Sequence, residues 1–126
     1  MSEPTLVRSG LTNDMPITAV GQSFEIHEWS GSGPEYLHIH HADDEAWHIL
    51  EGTLTFRFHD REEEAPAGTT VFVPAGVAHT YYEASGPTRY LIILTPRLSA
   101  LIAELQQSPF AQHAAILRRY ESEIVA

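Results

Sequence analysis

The chain has 126 residues, with 17 Asp+Glu against 7 Lys+Arg, a formal charge of −10, no cysteine and eight histidines. That length suits one domain with a real core, and 43% hydrophobic residues with 10% aromatics exclude a disordered chain. Missing cysteines exclude disulfides, thiolate metal sites and thiol nucleophiles; basic residues that are all Arg exclude lysine Schiff-base chemistry; the acidic balance argues against nucleic acid and anionic membranes as partners.

Met1 to Arg8 carries no apolar run of signal-peptide length, and the longest apolar run, Tyr90–Leu94, is too short for a bilayer. The expectation is a soluble cytoplasmic protein without a membrane partner. Phe24–Trp29 alternates apolar and polar residues and breaks at Ser30-Gly31-Ser32-Gly33-Pro34. Tyr36–His40 follows, then a loop of His41–Asp44, then Ala46–Leu50. Glu51-Gly52 turns into Thr53–Phe58, whose Leu54, Phe56 and Phe58 share one face of a period-two strand. The acidic stretch Asp60–Glu64 reads as a solvated hairpin loop. Thr69–Val73, His79–Glu83 and Arg89–Thr95 complete the strands, the last apolar enough to be buried on both faces.

At Thr95 the period changes. Thr95 is an N-cap candidate with Pro96 at the first helical position, and Leu98, Leu101, Ile102 and Leu105 form a helical stripe. Ser108-Pro109 repeats the start signal, and Phe110, Ala114, Leu117, Tyr120 and Ile124 mark a second helix less cleanly. Short strands followed by two helices predict an all-β barrel or sandwich with a helical appendage. Residues 1–126 form a single domain, with a barrel core over about 20–95 and helices over about 96–125.

His38 and His40 sit two apart on a strand and leave the same face; Glu45 lies across a short loop and His79 on a later strand. An isolated His-x-His pair is usually surface or core histidine. If the strands curl into one barrel with this face inward, however, three imidazoles and one carboxylate converge. That set suits a divalent first-row metal which, at five or six coordination, keeps positions open; closed tetrahedral zinc would have none.

Spacing carries the argument further. His38-x-His40-x4-Glu45-x6-Gly52 and Gly68-x5-Pro74-x-Gly76-x2-His79, 15 residues apart, resemble the two signature motifs of the cupin superfamily. The flanking strands extend the resemblance over about residues 20–95, and it is similar to small quercetinase-like single-domain cupins. It implies a double-stranded β-helix (jelly-roll) barrel, a homodimer, and His38, His40, Glu45 and His79 as ligands of one Fe, Mn, Ni, Co, Cu or Zn ion. Two positions depart from the pattern. Ser32, flanked by Gly31 and Gly33, stands where a glycine is expected, and Glu83 stands where the second motif usually ends in Asn.

By strand parity Glu83 points inward with His79 and Tyr81. It is a candidate general acid or base, or a residue orienting a ligand; the alternative is a rim residue in water. Tyr36, Trp47, Phe56, Phe72 and Tyr81 share inward parity as candidate substrate-pocket residues, as does Ile49. His41 and His48 face outward, the latter toward a possible dimer contact. His27, His59 and His113 lack a partner pattern and read as surface or structural residues.

The resemblance implies a metal-dependent enzyme for a small chelating phenol or enol. It would be either a dioxygenase-type oxidoreductase, in which dioxygen attacks the activated substrate, or an isomerase or cyclase in which Glu83 moves a proton. The alternative is a non-catalytic metal-dependent barrel that binds or senses a small molecule. A purely structural protein with idle histidines is the third reading.

Overall fold

The computed structural model describes residues 16–126, so the reading of Met1–Arg8 lies outside the described residues. Ten strands run β1 (Thr18–Val20), β2 (Glu25–Trp29), β3 (His38–His40), β4 (Glu45–Glu51), β5 (Thr53–Phe58), β6 (Glu62–Pro66), β7 (Thr70–Val73), β8 (His79–Tyr82), β9 (Arg89–Leu94) and β10 (Ser122–Ile124). Helices α1 (Pro96–Gln106) and α2 (His113–Arg119), with a 3-10 turn at Phe110–Gln112, stand between β9 and β10.

The strands form two five-stranded antiparallel sheets, β1-β2-β9-β4-β7 and β10-β3-β8-β5-β6. This is the double-stranded β-helix arrangement, with the core between the sheets. Alternation decides which residues enter it: Glu45, Trp47 and Ile49 of β4 and Tyr90, Ile92 and Leu94 of β9 are buried, while the residues between them are only partly buried. Burial of β9 therefore follows one face, and Leu91 and Ile93 are only half-buried on the other, contrary to the two-faced expectation.

Three sequence expectations are corrected here. The acidic stretch is not a loop: Glu62–Pro66 is the edge strand of its sheet, paired to β5 with Ala65 turned inward and its glutamates exposed. Charges on an edge strand block pairing with another chain, so an acidic run is compatible with a strand there. Phe72 does not line the cavity at the histidines. It is 62% exposed because its neighbours Val71 and Val73, opposite Trp47 and Glu45, take the inward phase of β7. The second helix stops at Arg119, and Ile124 belongs to a strand that pairs with β3. Glu121 makes the turn with φ of 55°, a left-handed position usually taken by glycine, and its carboxylate accepts from Arg97 Nη1 at 3.1 Å.

The α1 start is as the sequence indicates: the Thr95 hydroxyl accepts from Leu98 N–H at 3.2 Å, with Pro96 in the first turn. Leu98, Leu101 and Leu117 are fully buried, so both helices close over the core rather than standing apart from it. At the β4–β5 turn, Gly52 has φ of +76°, and a Cβ there would lie 2.6 Å from Pro87 O; only glycine fits.

Candidate metal centre and its cavity

Strand register assembles the site. His38 lies directly opposite His79 across the β3–β8 pair, with ring centroids 4.5 Å apart. His40, two residues along the same face, stands 4.8 Å from His38 and 5.4 Å from His79. One nitrogen of each ring lies within 4.8 Å of the others. Glu45 comes from the facing sheet, its Oε1 lying 3.1 Å from His79 Nε2 and 3.4 Å from His40 Nε2. All four residues are buried.

Hydrogen bonds fix what each ring presents. His79 Nδ1 donates to Val77 O at 2.9 Å, and His38 Nδ1 points at Tyr36 O at 3.4 Å. Ser122 Oγ donates to Tyr120 O at 3.2 Å, so it accepts from His40 Nδ1 at 2.8 Å. With Nδ1–H committed in each case, the Nε2 lone pairs face one another and the Glu45 carboxylate. Buried acceptor facing acceptor at 3.1 Å is unfavourable unless a cation lies between them, so the donor set fits a metal ion. Burial, then the neighbouring His79 and His40, pushes His38 down to about 3, which keeps that ring neutral. Burial raises the Glu45 carboxyl, but the His40 and His79 imidazoles beside it outweigh burial and hold the group at about 2, ionised.

His38, His40 and Glu45 line a cavity of about 860 Å³ together with Trp29, Tyr36, Trp47, Tyr81 and Tyr90 and, from the helices, Leu101, Leu105, His113 and Leu117; His79 is not on its wall, its ring lying 5.7 Å from that of Trp47. Tyr36, Trp47 and Tyr81 thus stand where the sequence parity places them. Phe56 instead packs behind the wall, its ring 5.1 Å from Trp47 and 5.5 Å from Tyr81, and Ile49 is likewise core. Gly33, beside the departing Ser32, lies against the Tyr81 ring, where a Cβ would be 2.8 Å from Cε1.

Glu83 lies just past β8 and is not on the cavity wall. Its Oε2 accepts from Thr88 Oγ1 and Thr88 N, both at 2.7 Å, and from Gly31 N at 3.2 Å. The Thr88 side-chain bond leads the effects that lower its pKa. A carboxylate so committed ties two loops together and is a weak base.

Of the other histidines, His41 is exposed and meets Glu123 at 3.1 Å, His48 bonds Thr70 Oγ1 at 2.8 Å, His59 is exposed and His27 pairs with Glu25 at 2.8 Å. His113 is structural in the sense that both its ring nitrogens are hydrogen-bonded, but it also lines the cavity, where it bonds the Tyr36 hydroxyl at 2.9 Å. Neither His113 nor Ser122 carries a sequence signal, because each meets its partner only through the fold of the C-terminal segment.

Ser122→Ala should therefore lower metal affinity by about 10–100-fold with the ligands intact, read by titration with a competing chelator. An unchanged affinity would show that Ser122 does not orient His40.

The comparisons with known proteins agree with this architecture. The chain matches the cupin domain family (Cupin_2) over residues 23–94. It is 32% identical over 56 residues to an uncharacterized protein of Streptomyces coelicolor, a match covering 44% of this chain and 53% of that one. The chain thus spans about half the length of that relative. A crystal structure of a cupin-2 domain containing protein from Shewanella frigidimarina is similar with 26% identity and a TM-score of 0.55, covering 66% of this chain and 81% of that chain. A sugar phosphate isomerase of the cupin superfamily from Silicibacter pomeroyi shares the fold at 23% identity and a TM-score of 0.52, covering 58% of this chain and 50% of that chain. Two facing antiparallel sheets, a buried trio of imidazoles between them and the match across 23–94 place this chain in the cupin domain family.

Proposed function

We propose that this cupin is a metal-dependent enzyme acting on a small chelating phenol or enol, with oxygenation as its reaction. The supporting observation is the convergence of three imidazoles and the Glu45 carboxylate, with His38, His40 and Glu45 on the wall of a cavity of about 860 Å³. A divalent ion held by His38, His40, His79 and Glu45 would supply Lewis acidity to a pair of substrate oxygens.

The chain's own contribution is position and apolar surface. Ser122, Val77 and Tyr36 hold the imidazoles by their Nδ1 atoms, while Trp29, Trp47, Tyr81 and Tyr90 offer flat apolar surface to a ring. Leu101, Leu105 and Leu117 add apolar surface to the cavity from the helix side. Oxygenation is favoured over proton-shuttling isomerisation or cyclisation because Glu83, the sequence's candidate for moving a proton, is bound to Thr88 and Gly31 away from the cavity.

Metal-loaded protein incubated with flavonols, catechols and 1,3-diketones tests the reading, with oxygen uptake and product formed as the readouts. Stoichiometric uptake with cleavage of one of these compounds is expected. Tight binding of the compounds without chemical change would replace it with the non-catalytic binding or sensing role.

A further inference from the structure

The cavity wall has a hydrogen-bonding polarity. His113 Nε2 lies 3.1 Å from Leu105 O and 3.0 Å from Ser108 O, and carbonyls only accept, so Nε2 carries the proton. In the neutral ring Nδ1 is then an acceptor, and the Tyr36 hydroxyl donates to it at 2.9 Å. A second chain of bonds has the same sense. Tyr90 donates to Gly31 O at 3.0 Å, which leaves its oxygen to accept from the Tyr81 hydroxyl at 3.1 Å. All three phenolic protons point away from any occupant. What Tyr36 and Tyr81 have left to offer is oxygen lone pairs.

The charges have the same bias. Arg89, the one arginine among the described residues that line the cavity, is held between Glu51 at 3.0 Å and Glu28 at 3.3 Å, two carboxylates that also line it. One guanidinium against two carboxylates leaves that corner net negative, and an incoming phosphate would have to displace one of them.

We propose that this polarity selects the ligand: the cavity takes uncharged molecules that bring their own hydroxyl donors, Tyr36 is the acceptor that reads one such hydroxyl, His113 is the positioning residue that fixes Tyr36 in that role, and phosphorylated compounds are rejected. The inference rests on the cavity being the substrate site and names its substrate class. It gives a specific reason not to carry sugar phosphates over from a structural neighbour.

The test is calorimetric binding to the full chain loaded with Zn(II), under argon, so that no turnover is needed. The probes are 1,2,3-trihydroxybenzene and 3-methoxycatechol, which share a chelating oxygen pair and differ in whether the third oxygen donates, together with phenyl phosphate. The trihydroxy compound should bind about five- to tenfold tighter than the methoxy compound, and phenyl phosphate should give no measurable binding. Tyr36→Phe should bring the ratio close to one by removing the acceptor. His113→Leu, which frees the Tyr36 proton to donate, should bring it to one or below with zinc content unchanged.

A ratio unaltered by Tyr36→Phe overturns the proposal, even if His113→Leu proves unstable. So does phenyl phosphate binding as tightly as the phenols, or failure of both phenols to bind. Because binding is read without oxygen, loss of the oxygenase reading alone leaves the expected ratios in place.

Discussion

His79→Ala and Glu45→Ala should each strip the chain of most of its metal, while His41→Ala should leave metal content unchanged. In wild-type protein purified without chelator, elemental analysis should find about one divalent transition-metal ion per chain. Losing a direct ligand should weaken binding by more than the roughly 10–100-fold that attends loss of an outer partner. The reason is geometric as well as chemical. Glu45 comes from one sheet and the three histidines from the other, so an ion at this point ties the two sheets together. Metal at a hundred times its dissociation constant should stabilise the wild-type fold by about 2.7 kcal/mol. For a chain of this size that is a readily measured rise in Tm, and both ligand variants should lack it. Metal retained in His79→Ala, or lost from His41→Ala, would contradict the placement of the β3 and β8 faces.

Leu117→Ala should destabilise the protein by about 2–5 kcal/mol, because Leu117 is fully buried at the junction of α2, the core and the cavity wall. Set against a typical domain stability of about 5–15 kcal/mol, that is a large fraction. Phe72→Ala removes a larger side chain yet should change stability by no more than about 0.5 kcal/mol, since Phe72 is 62% exposed on the outer face of its sheet. Urea unfolding of both variants measures the contrast. Equal losses would mean that Phe72 is covered, and a negligible loss at Leu117 would mean that the helices do not help close the core. Leu98, Leu101 and Leu117 already bury in one cluster with the strand residues, which is why a cost is expected at a helix position.

Several features were legible before any coordinates because they depend on local rules. The histidines of β3 share a face because side chains on a strand repeat every two residues, and the Thr95-Pro96 start of α1 is a short-range capping signal. Gly52 is demanded by a turn of positive φ. The same local rules failed where the deciding contact is distant. Phe72 has the composition of an inward residue, but the phase of β7 is set by which of its residues faces Trp47 and Glu45 on β4. Glu62–Glu64 look like a loop in isolation and become a strand because β5 offers a free edge. The end of α2 carries no local stop signal, because Glu121, rather than glycine, takes the left-handed turn, held by Arg97 from another helix.

The sequence by itself determined the family, the strand-rich core and the four residues grouped at the candidate metal centre, since two spaced motifs encode strand parity and turn position, both short-range properties. Tertiary structure alone decided that Glu83 is tied to Thr88 and Gly31, that Ser122 holds His40 and that His113 aims the Tyr36 proton away from the cavity. Those contacts join residues as many as 82 positions apart, and hydrogen-bond partners at that range are set by how the helices fold back over the barrel.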